Sequence, residues 1–311
     1  MNAFLAVDLP ALVALLLAII ACATVGNWLV LRRESLAADA TAHAVLPGLV
    51  GGYLVTGTRS PWAMLAGALV AGLLTIVLAR FVVRATRTGA ATALGVVCTA
   101  FFALGVALLE TQGARQVDLD PSCVLFGSLE TLFVATRESE SSLLAWVTAL
   151  PRPIWTLTAA AMLAVLASVI FAKEFAIRAF DPSFARVSGA APRWTDDTRV
   201  IATTLAIVAA FEAVGSVLVI ALVACPALAA APFARSVRGQ MLLSIVIAMP
   251  IAIAAYLASA HAPMWLGTTN PLNAAGTVAC ALAAAVPLSH GVARICQRKF
   301  HAGNAFNRRP V

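Results

Sequence analysis

Residues 10–33 read PALVALLLAIIACATVGNWLVLRR: no charge from Pro10 to Leu31, then Arg32 and Arg33 side by side. A helix rises 1.5 Å per residue, so about 20 mostly apolar residues cross the roughly 30 Å hydrocarbon layer of a bilayer. This stretch is long enough to do so. Paired arginines at the end of such a run favour the cytoplasmic face, which puts the N-terminus outside.

Working outward from it, the same pattern recurs along the chain. Apolar runs over about 36–56, 62–83, 90–109, 154–172, 241–258 and 272–292 each end at charged or turn-forming residues. The stretch from Ile201 to Ala234 has Arg199 before it and Arg235 and Arg238 after it, so both of its ends belong inside and two short spans must fit there. The expected break is Glu212-Ala213-Val214-Gly215, as in interrupted transporter helices. With this topology, of the 21 Lys and Arg only Arg59, Arg115, Arg137 and Arg152 fall outside.

Composition agrees with this reading. The 311 residues are 61% hydrophobic and 11% charged, and mean hydropathy is +0.94. A soluble domain is about a quarter charged. The runs are continuous rather than the alternating ten-residue segments of a membrane barrel. The expected fold is therefore all-α: a polytopic helical membrane protein of about nine transmembrane helices, N-terminus outside and C-terminus cytoplasmic. One membrane domain, 1–311, is expected, with an outer acidic segment at 110–153, a cytoplasmic loop at 179–199 and a basic cytoplasmic tail at 293–311. The net charge of +7 follows from topology, since the basic residues flank apolar runs rather than interleave with aromatics; nucleic acid is not an expected partner. The six cysteines have no CxxC spacing and read as core filler.

The most informative string is LRRESLAADATAHAVLPG, 31–48. Asp39 and His43 stand four apart, on one helix face, with Cβ atoms about 5–6 Å from each other. That spacing lets a carboxylate oxygen and an imidazole nitrogen share a metal ion at about 2.0–2.2 Å. It equally suits an intrahelical hydrogen bond. An aspartate within a span costs about 2.5–3.5 kcal/mol on insertion scales, so it should face water or a partner. Glu212, in mid-run, is either a second ligand or gate, or a protonated acid bonded to carbonyls freed by the break at Gly215. Asp181 and Pro182 open a short helix as N-cap and first residue.

The 31–48 string resembles the opening signature of the metal-ion ABC permease family for zinc, manganese and iron. TALGVVCTAFFALG (92–105), VDLDPSCVLFG (117–127), AFDPSFAR (179–186) and FEAVGSVLV (211–219) follow in that family's order. Two departures are Ala38 for the usual Gly and Ala42 for the usual Ser, and beyond Ala234 the match weakens. The resemblance implies a membrane-spanning subunit of an ATP-driven importer for a divalent metal ion. It implies Asp39 and His43 as metal-path ligands. It further implies that Asp181, Pro182, Phe184 and Arg186 form a coupling helix docking on a cytoplasmic ATPase. The implied partners are that ATPase, an extracytoplasmic metal-binding protein and a second permease, as homodimer or heterodimer, in the cell (inner) membrane. No GxxxxGK[ST] phosphate loop occurs, so the chain is not expected to be an enzyme, nor to hold a permanent cofactor; the metal ion is cargo. The alternative is an ion-gradient-coupled carrier using Asp39 and Glu212 as coupling carboxylates.

Overall fold

The computed structural model describes residues 8–58, 60–110, 129, 150–189, 193–266 and 272–306. Most of the acidic segment expected at 110–153, and the end of the basic tail, lie outside the described residues. The described residues form ten helices: α1 Leu9–Leu31, α2 Leu36–Thr56, α3 Pro61–Thr86, α4 Ala90–Leu109, α5 Arg152–Ile170, α6 Ala172–Phe180, α7 Pro182–Ser188, α8 Arg193–Ala230, α9 Val237–Leu266 and α10 Ala274–Phe306. Seven of them, all but α2, α6 and α7, are long and apolar enough to cross a membrane. Their outer faces carry large apolar side chains such as Val70, Phe81, Met162, Val169, Leu242 and Leu288, the surface of a helical bundle solvated by lipid. The chain is a multi-pass membrane protein.

Side-chain bonds fix which helix ends lie together. Tyr256 of α9 donates to Asp8 at the start of α1 (3.1 Å), while Asn27, near the end of α1, donates to Ser244 of α9 (2.8 Å). The two helices are therefore antiparallel. At the Arg32 end, Arg80 of α3 and Asp197 of α8 also meet (3.4 Å). At the opposite end Arg152, opening α5, donates to the carbonyl of Pro61, which opens α3 (3.3 Å).

Two helices depart from simple crossings. α2 falls outside the seven apolar spans, because Asp39, His43 and its glycines dilute its hydropathy, yet it joins the Arg32 end to the Pro61 end. Close approach holds it: a Cβ on Gly67 of α3 would lie 2.2 Å from the carbonyl oxygen of Gly48, and one on Gly48 would lie 2.6 Å from Ala68 Cα. Only glycine permits this spacing, and dispersion between the backbones replaces the hydrophobic drive that lipid cannot supply.

α8 is interrupted at Gly215, whose φ of 77° and ψ of 170° suit a residue without Cβ. Before it, α8 climbs from Arg199 at the Arg32 end to Glu212 beside Arg152. After it, the backbone of Val223 packs on Gly26, less than two turns from Arg32; a Cβ there would meet the Val223 oxygen at 1.9 Å. Gln240, near the start of α9, donates to Ala227 (3.3 Å). The second arm thus returns to the end where the first began, and the break falls where the charges flanking the run require it. α10 runs to Phe306, further than the apolar run ending near 292, so the basic tail is helical from 293 to 306.

Candidate metal centre

The metal candidates are built on α2 and α4. The α1–α2 turn passes through Arg33 at φ 57°, with Glu34 N–H donating to Leu29 O (2.8 Å). Ion pairs then lock this turn to α8 and α6. Arg32 reaches Asp196 (2.9 Å) and Glu34 (3.2 Å), Arg199 reaches Glu34 (2.9 Å), and Arg178 also meets Asp196. Arg199 is buried, so losing Glu34 would remove the carboxylate that its guanidinium bonds. A cavity of about 820 Å³ lies beside this network, between α2, α3, α4 and α8. It borders α2 on the side of Ala37 and Thr41, opposite in helical phase to Asp39 and His43.

The helix held by that network brings the expected pair together. His43 Nε2 lies 3.3 Å from Asp39 Oδ1, and the His43 ring meets Phe102 of α4 edge-on at 5.4 Å. α4 itself is held to α2 by Gly105, where a Cβ would lie 2.9 Å from Pro47 Cδ. Cys98, one turn before Phe102, completes a cluster in which Asp39, His43 and Cys98 place ligand atoms within 4.8 Å of one another. Among the described residues this is the one group of three His, Cys, Asp or Glu side chains that could share an ion. In the sequence Cys98 reads as core filler, because at 55 positions from His43 it gives no spacing signal. The Asp39 and His43 side chains remain 38% and 29% exposed, on an outer face of the bundle rather than in its centre.

Glu212 is not brought to this cluster. Its Oε1 lies 3.4 Å from Arg152 Nη1, and Thr156 Oγ1 donates to Oε2 at 3.4 Å. The Arg152 guanidinium also stacks over Trp62 at 4.4 Å. Neither partner is legible in the sequence, where Arg152 reads only as a flank of the apolar run at 154–172.

The Asp181 cap takes the local form expected. Asp181 accepts from Phe184 N–H (2.8 Å) and from Ser183 Oγ (2.6 Å), and Pro182 opens α7. The Phe184 amide, then Ser183, hold the Asp181 carboxyl below its ordinary range. Phe184 and Val187 are exposed, at 55% and 90%, an apolar pair on a short surface helix. The Arg186 side chain lies outside the described residues.

The sequence profile of the ABC 3 transport family matches residues 6–285. The chain belongs to the ABC 3 transport family. It is 34% identical over 237 residues to the manganese transport system membrane protein MntD of Bacillus subtilis (strain 168), covering 76% of this chain and 78% of that one. It is 35% identical over 207 residues to the zinc transport system membrane protein TroD of Treponema pallidum (strain Nichols), covering 67% of this chain. That match spans about half of TroD, 54% of its length. In fold it is similar to PsaBC of Streptococcus pneumoniae, solved in complex with Fab, with a TM-score of 0.69, 23% identity and coverage of 90% of this chain and 89% of that one. The family resemblance seen in the sequence is thus established, and this member of an ABC transport family is a transport component.

Proposed function

We propose that this protein is the membrane-spanning permease subunit of an ABC importer for a divalent metal ion, manganese, zinc or iron. The observation that carries the proposal is the Asp39–His43 pair, set on α2 of an ABC 3 family chain and joined by Cys98. A carboxylate facing lipid is costly, and two ligands a third exposed on an outer face need a cover. A second permease, identical or related, supplies it, so the ion path runs between two subunits. The exposed apolar side chains of α4, among them Val96 and Phe102, suit the same contact.

In this arrangement the chain is one membrane domain that crosses nine times, counting α2 and both arms of α8. Its N-terminus is outside and its tail is in the cytoplasm, in the cell (inner) membrane. The ion arrives from an extracytoplasmic metal-binding protein, past the acidic segment 110–153. Asp39 supplies charge and His43 a nitrogen donor while the ion is between faces. Glu212, paired with Arg152, acts near the outer end as a latch between α5 and α8. Asp181, Pro182, Phe184 and Arg186 present α7 to a separate cytoplasmic ATPase, with Phe184 as the apolar anchor. No step needs a resident cofactor.

The test is metal uptake by proteoliposomes holding this subunit, its permease partner and the ATPase, with each ion offered in turn. Uptake that requires ATP hydrolysis supports the proposal, and Phe184→Asp should abolish it without affecting membrane insertion. Uptake driven by a proton or sodium gradient without the ATPase would overturn it in favour of a secondary carrier.

A further inference from the structure

We infer that Cys98 is a third ligand to the transported ion, and that its thiolate biases the site toward zinc over manganese. This rests on the reading of Asp39 and His43 as ligands. Tetrahedral zinc bonds of about 2.0–2.3 Å to N, O and S place neighbouring ligand atoms roughly 3.3–3.8 Å apart. The Asp39–His43 separation of 3.3 Å already meets that edge. All three ligand atoms lie within 4.8 Å of one another, so the Cys98 sulfur needs to move in by no more than about 1.3 Å, within reach of a χ1 adjustment. Cys98 is free of any disulfide and half-buried.

Charge favours the same assignment. On binding, the Cys98 thiol gives its proton to water and a metal–sulfur bond forms. The Asp39 carboxylate and the Cys98 thiolate then balance a divalent ion while His43 stays neutral. A complex without net charge is the least costly one to hold within a span. Three protein ligands leave a fourth position open, as in zinc sites that exchange a bound group, and a transported ion must be released. Softness decides the preference: thiolate and imidazole suit zinc, whereas manganese favours all-oxygen sets. Cys22, Cys225, Cys280 and Cys296 join no such cluster among the described residues.

Cobalt(II) is the probe, because bound thiolate gives it a near-ultraviolet charge-transfer absorption separate from its visible d–d bands. Purified complex titrated with cobalt should show both. Zinc should displace cobalt and remove both absorptions. Cys98→Ser should lose the charge-transfer absorption but keep the d–d bands. It should also lower the ratio of zinc to manganese affinity at least about tenfold. Cys98→Val should behave likewise, which guards against a ligating serine. Cobalt bound by the parent with no charge-transfer absorption, or an unchanged affinity ratio in both variants, would overturn the thiolate ligand alone. No cobalt, zinc or manganese binding by the parent would overturn the metal site itself and this inference with it.

Discussion

Replacing Gly67 by alanine tests whether α2 is held in register by backbone contact with α3. The new Cβ would stand 2.2 Å from the carbonyl oxygen of Gly48 and 3.0 Å from Gly52 Cα. Both obstacles are backbone, so no rotamer change relieves them. The helices must separate by about 1 Å to restore ordinary contact, and overpacking of this kind costs about 1–3 kcal/mol. Alanine in a helix interior returns about 1 kcal/mol through propensity, leaving a net loss on the order of 0–2 kcal/mol and a deficit of about 1–3 kcal/mol against an unobstructed Gly→Ala change. Gly291→Ala on α10, with nothing within 4 Å of its Cβ, isolates that propensity gain and should be neutral or stabilising. Because α2 carries Asp39 and His43 while α4 carries Cys98, Gly67→Ala should also weaken metal binding. The assay is thermal unfolding in detergent together with metal titration of both variants. Gly67→Ala as stable as Gly291→Ala, with the parent's metal affinity, would refute the account of α2.

Three further outcomes follow from the structure. The Asp181 carboxyl is held low by the Phe184 amide, so its cap contributes to α7 above the ordinary aspartate range and is lost only as pH falls through the lowered native value; protection of the Phe184 amide from hydrogen exchange should persist correspondingly far into acid. Glu212→Gln should keep metal affinity while losing stability, and a double-mutant cycle with Arg152→Leu should give a coupling of about 0.5–3 kcal/mol; a lost metal site with no coupling would instead make Glu212 a ligand. A cysteine at Thr58, between α2 and α3, should react with an impermeant thiol reagent from outside, and labelling only from inside would invert the proposed topology.

Whatever depended on period and flanking charge was legible in the sequence. α2 and α4 begin and end where the apolar runs at 36–56 and 90–109 do, and the return of α8 at Gly215 follows from arginines at both ends of one run. Helical spacing alone brought Asp39 to His43, and Asp181-Pro182 announced its own cap. The remainder depends on which helices pack together. Cys98 joins His43 only because Gly105 lets α4 rest on Pro47. Arg152 meets Glu212 only because α8 climbs to the start of α5 before turning back. The network of Arg32, Glu34, Arg178, Asp196 and Arg199 draws on three separate polar stretches, each of which reads alone as a cytoplasmic flank.

Whether Asp39 and His43 bind the transported ion is decided by calorimetric metal titration of the purified complex at matched folded yield. Asp39→Asn keeps size and removes the anionic ligand, and His43→Ala removes the nitrogen donor. Each variant should lose most of the parent's affinity. Binding by the parent should also weaken on acidification, since a ligating imidazole must be neutral. Unaltered metal affinity in both variants, with only a loss of stability, would reduce the pair to an intrahelical hydrogen bond and remove it from the ion path.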